Sequence, residues 1–231
     1  MKLLPNPFRA LVIGSSGTIG SAFMDLLTNN PNCTGVVGVH RRSNPFIDYQ
    51  NPSSIEDCAT SLGRDGPYQL IINTIGVLHS DDWMPEKKLD DINADQLMEL
   101  LKINTIGPAL TIRHFAKLLD PRGSIMVTLS AKVGSIEDNR LGGWYSYRAS
   151  KAALNMLIKT ASIEMTRTKP QVAIIAMHPG TVNSRLSKPF RGEQIGRPAQ
   201  DAAVDMFKVI EHLQTSDTGT FFSYSGEKLP W

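Results

Sequence analysis

Short, continuously apolar segments recur along this chain, and helical hydrophobic periods lie between them. The apolar segments are typical of strands and lie at residues 10–13, 36–39, 70–72, 125–129, 172–177 and 220–222. They do not alternate between apolar and polar residues, which is characteristic of parallel strands buried on both faces of a sheet. Strands that alternate with helices along the whole chain predict a doubly wound α/β fold with right-handed crossovers.

The helical periods indicate how the sheet is covered. Residues 94–119 favour one long helix or a pair kinked at Pro108, because proline has no main-chain N–H to donate inside a helix. Residues 152–165 continue the helix that begins near residue 147, and residues 199–213 form the last clear helix. Because no repeat, linker or low-complexity tract interrupts the chain, we expect a single domain over residues 1–231, with a sheet of about seven parallel strands.

Three irregular stretches, residues 79–91, 135–143 and 184–198, each follow the carboxyl end of a predicted strand. Open α/β sheets bind their ligands at that edge. We therefore expect residues 184–198 to form a lid over a substrate, with Leu186 and Phe190 contributing to an apolar pocket.

Composition excludes several other kinds of protein. The net charge of +2 provides no general attraction to nucleic acid or to a membrane surface, and no apolar segment is long enough to span a bilayer. Proline interrupts the N-terminal segment too early for a secretory signal. Cys33 and Cys58 have neither metal-ligand nor disulfide spacing, and the histidines are isolated, so we expect no metal. A reducing, cytoplasmic environment fits this cysteine content.

A glycine-rich segment links the first predicted strand to the first predicted helix. Gly14, Gly17 and Gly20 are spaced G-x-x-G-x-x-G, which allows a tight turn and a close approach of the main chain to a ligand. The N–H groups at the start of the helix attract a pyrophosphate. This position in a doubly wound chain predicts a Rossmann-type dinucleotide site, although a glycine turn without a ligand remains an alternative.

The end of the second predicted strand indicates which dinucleotide is bound. An NAD site favours an acidic residue there to bind the ribose hydroxyl, but this chain has Arg41 and Arg42 instead. Guanidinium groups suit a 2′-phosphate. We therefore predict NADP(H) as the cofactor, with a solvated basic turn as the alternative.

Tyr147 and Lys151 stand four residues apart within a helical segment, so their side chains share one helix face. A free tyrosine has a pKa of about 10, and a nearby ammonium group favours the phenolate. The pair therefore predicts a lowered tyrosine pKa and a general acid near neutral pH. A solvated helix face is the alternative for the pair considered alone.

Taken together, these motifs resemble the short-chain dehydrogenase/reductase family over essentially the whole chain. The family's motifs occur in order: the glycine loop at 14–20, an Asn-Asn-Ala-Gly-like segment at 73–76, an asparagine at 104, the Tyr-x-x-x-Lys pair at 147–151, and a Pro-Gly-x-Val-x-Thr-like segment at 179–184. Within the family, residues 129–155 and 178–190 are most similar to the C-factor and insect carbonyl reductase type.

The resemblance implies catalytic roles for four residues. Tyr147 would exchange a proton with the substrate, and Lys151 would lower the pKa of Tyr147 and bind the nicotinamide ribose. Asn104 would hold a water molecule that connects Lys151 to solvent. Ser130 would donate a hydrogen bond to the substrate oxygen.

The resemblance also implies a set of cofactor contacts. Asp48, after a short predicted third strand, would touch the adenine unless it is an ordinary loop acid, and Asn73 and Pro179 have turn formation as their alternative role. The remaining implied contacts, besides Arg41, Arg42, Tyr147 and Lys151, are Gly14, Ser15, Ser16, Gly17, Ile19, Gly76, Gly180, Val182 and Ser184.

The chain departs from the family pattern at the serine. The family commonly has its serine 13 residues before its tyrosine, a position occupied here by Gly134. Ser130 is our choice because it ends a predicted strand beside the expected reaction centre, and Ser135 is the alternative. The longer spacing implies an inserted segment from Ser135 to Trp144 that arches near the substrate entrance. Trp144 and Tyr145 then either wall the substrate pocket or serve for packing.

These inferences predict reversible hydride transfer between NADP(H) and a small carbonyl or alcohol substrate. One alternative is a non-catalytic nucleotide-binding signalling protein of the C-factor type. A sugar-nucleotide epimerase or dehydratase is a further alternative, but such enzymes usually have a longer region after the position of Ser184. The family resemblance implies a homodimer or homotetramer built on helices around residues 94–119 and 147–166.

Overall fold

The computed structural model describes residues 2–231 and contains a parallel sheet of six strands in the order β2-β1-β3-β4-β5-β6. The strands are β1 (Phe8–Ile13), β2 (Cys33–Val39), β3 (Leu70–Asn73), β4 (Ser124–Leu129), β5 (Val172–His178) and β6 (Phe221–Ser223). The strand order reverses between β1 and β3, and such a switch point is where doubly wound sheets bind ligands. The structure confirms the predicted fold class.

Seven α-helices alternate with these strands in the part of the chain that the structure describes. They are α1 (Thr18–Thr28), α2 (Ser53–Leu62), α3 (Ala94–Leu101), α4 (Gly107–Phe115), α5 (Tyr145–Thr168), α6 (Gly192–Ile195) and α7 (Ala199–Ile210). Helices α1 and α7 pack on one face of the sheet, and α2, α4 and α5 pack on the other. Every residue of β4 is buried, as the continuously apolar strand pattern predicted.

The predicted helix at residues 94–119 is a kinked pair. A π-helical stretch, Lys102–Ile106, separates α3 from α4, and Pro108 lies in the first turn of α4. Proline has no main-chain N–H to continue the helical hydrogen bonds there. Short π-helical insertions often lie at functional sites. This one contains Asn104, whose side chain is completely buried.

The short third strand that we expected before Asp48 does not form. Asp48 makes only an isolated antiparallel bridge with Asn51, and its main-chain N–H donates to Ser54 Oγ at 2.8 Å. The main chain of Asp48 is therefore used by the turn that leads into α2, and the sheet has six strands.

Candidate active site

A cavity of about 410 Å³ lies at the carboxyl edge of the sheet. Its walls come from the segments that follow β3, β4 and β5 and from the first turn of α1. Of the residues that we predicted to form the site, those that line this cavity are Ile19, Gly76, Ser130, Tyr147, Lys151, Pro179, Gly180, Val182 and Ser184. The fold therefore brings together residues that lie far apart in the sequence.

Tyr147 and Lys151 face this cavity from one side of α5. Lys151 Nζ lies 5.9 Å from the centre of the Tyr147 ring and donates a hydrogen bond to the Leu129 carbonyl at 3.2 Å. Both side chains are buried. The helical spacing thus predicted their shared face correctly.

The predicted lowering of the Tyr147 pKa is wrong for this structure. Burial raises the pKa of the Tyr147 phenol above its usual value, because removal from water disfavours the phenolate. Burial also lowers the pKa of Lys151 to about 8, which weakens the positive charge available to Tyr147 in mildly alkaline solution. Tyr147 therefore carries its proton at neutral pH.

Asn104 lies beside the Lys151 ammonium group, behind Gly76. Asn104 Oδ1 accepts from Val77 N at 2.9 Å, and its Nδ2 donates to Val77 O at 2.8 Å and Ser150 Oγ at 3.1 Å. A methyl group added at Gly76 would lie 3.3 Å from both Asn104 Oδ1 and Lys151 Nζ. The absence of a side chain at residue 76 therefore keeps open the space between these two polar groups.

Ser130 and Ser135 lie in different environments. Ser130 follows β4, lines the cavity and donates from Oγ to Asn155 Oδ1 at 2.6 Å. Ser135 is buried outside the cavity lining, and its Oγ donates to the main-chain oxygen of Trp231 at 3.1 Å. Of the two serines, only Ser130 can therefore meet a molecule in the cavity, once its hydroxyl turns from Asn155.

Our sequence reasoning missed Asn155, although it follows Lys151 at the same helical spacing as Lys151 follows Tyr147. Its amide orients the Ser130 hydroxyl, and its Nδ2 donates a long hydrogen bond to Gly134 O at 3.5 Å. The repeated four-residue spacing of Tyr147, Lys151 and Asn155 was the signal that could have identified Asn155.

The different environments of the two serines lead to a matched prediction. Replacing Ser130 by alanine is expected to reduce kcat for a carbonyl substrate about 100-fold, because a hydrogen bond to developing oxyanion charge is lost. Replacing Ser135 by alanine should leave kcat within about twofold, since the lost bond is outside the cavity. Steady-state kinetics of the two variants would test this, and equal effects would contradict the assignment.

The glycine loop has the geometry of a phosphate cradle. Gly14 has a φ of +85°, which glycine adopts without strain, and a side chain at Gly20 would collide with the Gly14 carbonyl. The N–H groups of Gly14 and Ser15 both donate to Val39 O, at 2.8 and 3.2 Å. The loop is therefore joined to the end of β2, with the first N–H groups of α1 beside it.

Arg41 and Arg42 follow this junction, and both side chains are exposed. Neither makes an ion pair with any residue in the described range 2–231. Their guanidinium groups are thus available for an anionic group next to the glycine loop, so this edge fits a phosphorylated dinucleotide.

Two predicted cofactor contacts have internal partners. Asp48 accepts a hydrogen bond from Gln50 N through Oδ1 at 3.0 Å. Asn73 is completely buried, donates to Tyr49 Oη at 2.8 Å and accepts from Ile75 N at 3.2 Å. The Asn73 side chain therefore organises the strand end, and neither residue lines the cavity.

Aromatic side chains enclose the cavity opposite the sheet. The Trp144 ring lies 6.2 Å from the Tyr147 ring and 4.9 Å from the Phe190 ring, measured between centroids. Leu186, Phe190 and Ile195 contribute apolar surface from residues 184–198. Of the two aromatic residues left open by the sequence, Trp144 lines the cavity and Tyr145 does not.

His178 and Lys132 add polar groups to the same cavity, and our sequence reasoning missed both. Burial, followed by the positive charge of Lys132, lowers the pKa of His178 to about 4. His178 is thus neutral at physiological pH, and its Nδ1 is buried without a hydrogen-bond partner among residues 2–231. Its position directly before the Pro-Gly segment was the available signal.

No group of three or more histidine, cysteine, aspartate or glutamate side chains is placed to hold a metal ion within the described part of the chain. Among the same residues, no helix has both the length and the apolar character needed to span a membrane.

Comparison with known proteins relates this arrangement to one family. The family model for short chain dehydrogenases matches residues 46–194. The 1-hydroxy-2-glutathionyl-2-methyl-3-butene dehydrogenase of Rhodococcus sp. is 32% identical over 188 residues, covering 81% of this chain and 79% of that protein. C-signal of Myxococcus xanthus is 32% identical over 167 residues, covering 72% of this chain and 94% of that protein.

Among solved structures, the NADPH-bound carbonyl reductase from chicken fatty liver has the same fold. It superposes with a TM-score of 0.82 at 23% sequence identity, over 98% of this chain and 100% of that chain. The segment matched by the family model contains the Tyr-x-x-x-Lys pair and most of the cavity lining, whereas the glycine loop lies outside it.

Proposed function

The chain belongs to the short chain dehydrogenase family, and we propose that it is an NADP(H)-dependent oxidoreductase that reduces an aldehyde or ketone, or catalyses the reverse reaction. The observation that carries this proposal is the convergence of Ser130, Tyr147 and Lys151 on one largely apolar cavity. That cavity lies at the same sheet edge as the glycine loop.

Tyr147 is the proposed proton donor in reduction. A tyrosine hydroxyl carries its proton at neutral pH, so Tyr147 can donate it to the carbonyl oxygen during reduction. Ser130 would donate a second hydrogen bond to that oxygen once its hydroxyl turns from Asn155. The chemistry that NADPH would supply when bound here is the hydride for the carbonyl carbon.

Lys151 and Asn104 are proposed to support this proton donor. Lys151 has a pKa of about 8, so its ammonium group can lose and regain a proton close to physiological pH. Asn104 Oδ1 and Lys151 Nζ both border the space beside Gly76, which supports a role for Asn104 in holding water beside the Lys151 amine. Lys151 would also bind the nicotinamide ribose.

NADP(H) is the proposed cofactor because the exposed side chains of Arg41 and Arg42 lie beside the glycine loop and form no ion pair within residues 2–231. The NADPH-bound state of the chicken carbonyl reductase supports the same choice. The proposed contacts remain those predicted from the sequence, with Asp48 and Asn73 acting through the turns that they stabilise.

We further infer that residues 1–231 act as one domain, in which residues 184–198 form the lid over the substrate. Trp144, Leu186 and Phe190 would select apolar groups attached to the carbonyl carbon. A homodimer or homotetramer built on α3, α4 and α5 remains our proposal for the assembly.

The test is NADPH oxidation in the presence of a panel of aldehydes and ketones, with NADPH binding measured in parallel. We expect turnover of at least some apolar carbonyl compounds. Tight NADPH binding without turnover of any substrate would instead favour a non-catalytic nucleotide-binding signalling protein. The similarity to C-signal is the reason to test this alternative. The match to the dehydrogenase family model favours a dehydrogenase over an epimerase.

A further inference from the structure

A buried carboxylate lies at the start of the helix that carries the proposed proton donor. Glu86, from the irregular segment 79–91, is only 2% exposed and has no ion-pair partner among residues 2–231. Its two carboxylate oxygens accept from Ser146 N at 3.3 and 3.2 Å, and Ser146 Oγ also donates to this carboxylate. Ser146 directly precedes Tyr147.

The bonds from Ser146 to Glu86 provide the first turn of α5 with the hydrogen-bond acceptor that its own capping residue does not provide. The first N–H groups of a helix have no partner within the helix, and the helix dipole favours a negative charge there. Trp144 occupies the capping position but contributes no side-chain hydrogen bond. Glu86 therefore takes the place of a capping side chain, although it belongs to a segment that is distant in the sequence.

The same residue also holds the segment that enters the helix. Trp144 has a φ of +53°, a left-handed conformation that is unfavourable for a side chain of this size. Its main-chain N–H donates to the Glu86 carbonyl at 2.5 Å. From within α5, Arg148 donates to the carbonyls of Gly142 and Gly143 at 3.1 and 2.9 Å. The first turn is thus tied to two irregular segments at once.

We propose that Glu86 is a positioning residue for Tyr147, an inference that rests on the proposed function. By holding Ser146 and Trp144 on either side of the start of α5, Glu86 sets where the Tyr147 hydroxyl meets the substrate and where the Trp144 ring closes the cavity. A buried carboxylate is costly unless it is fully hydrogen-bonded, and here every bond that it makes serves this turn.

Three variants test the proposal. Glu86→Ala is expected to reduce kcat about 30-fold, since small displacements of a catalytic group have large effects on rate, while the Kd for NADPH stays within about threefold. Glu86→Gln keeps one acceptor oxygen and should recover part of the loss. Asp82→Asn is the control for Glu86→Gln, because it also converts a carboxylate to an amide, but at an exposed position of the segment 79–91. It should leave kcat and the Kd for NADPH unchanged.

A second measurement reports the position of Tyr147 without turnover. The chain has five tyrosines, so ¹³Cζ-tyrosine labelling yields five resonances, and Tyr147→Phe identifies the one that belongs to Tyr147. In Glu86→Ala we expect this resonance to move while those of the distant tyrosines stay in place. A failure of the proposed function would abolish activity in the parent protein but leave this shift intact, so the two failures are distinguishable.

The proposal is overturned if Glu86→Ala keeps kcat within about twofold of the parent, since a misplaced proton donor cannot do so. It is also overturned if the Tyr147 resonance does not move, or if NADPH affinity and kcat fall in equal proportion. Should Glu86→Ala not fold, Ser146→Ala is the second variant, because it removes the hydroxyl bond to the carboxylate and leaves Glu86 in place. A kcat within about twofold of the parent together with an unmoved Tyr147 resonance in that variant would overturn the proposal.

Discussion

Replacement of Tyr147 by phenylalanine is expected to reduce turnover by at least about 100-fold, the usual effect of losing a positioned general acid. The substitution removes only the hydroxyl group, and the ring packs beside Trp144 as before. The Kd for NADPH should therefore change little. Stopped-flow or steady-state measurement of NADPH oxidation, together with a fluorescence titration of NADPH, would test both parts of this prediction.

Tyr145→Phe is the matched control, because Tyr145 belongs to the same helical turn but does not line the cavity. It should retain essentially full activity. A Tyr147→Phe enzyme with more than about a tenth of the parent rate would show that another group provides the proton. In that case His178, the other titratable ring in the cavity, would be the next residue to replace.

Replacement of Arg41 and Arg42 together by alanine is expected to weaken NADPH binding at least about 100-fold. Hydrogen bonds to a charged group contribute about 1.5–3 kcal/mol each, and both guanidinium groups are free to make them. NADH has no 2′-phosphate, so its affinity should change by less than about threefold. The dissociation constants of both cofactors, measured at one fixed salt concentration, give the comparison.

The general loss of positive charge needs its own control. Arg64 and Arg167 are exposed, and their joint replacement by alanine changes the net charge by the same amount away from the glycine loop. This control should leave both affinities unchanged. Equal weakening of NADPH and NADH binding by the Arg41 and Arg42 replacements would mean that these arginines do not recognise the 2′-phosphate.

Local patterns in the sequence predicted most of the scaffold. Continuous apolar runs predicted all six observed strands, although the edge strand β2 is only partly buried, with Val39 as its one buried residue. The four-residue spacing of Tyr147 and Lys151 predicted their common face, which helical geometry alone requires. Gly14 has the positive φ that its place in the glycine loop suggested.

The errors have a common cause. The predicted pKa of Tyr147 considered the nearby ammonium group but not the loss of water around the phenol, and that loss depends on residues from other segments. The cofactor role of Asn73 stays a prediction, but its side chain has a core partner, Tyr49, that no spacing rule relates to it. The strand expected before Asp48 was too short for its pattern to be distinguished from a turn.

By itself, the sequence determined the order of strands and helices, the glycine loop and the face shared by Tyr147 and Lys151. These features follow from hydrophobic periodicity and from the conformational preferences of neighbouring residues. Only the tertiary structure decided that Ser130 rather than Ser135 meets the cavity, that Asn155 orients its hydroxyl, and that Glu86 caps the start of α5. Burial and hydrogen bonding between segments far apart in the chain control these outcomes, and no local pattern encodes which segments will meet.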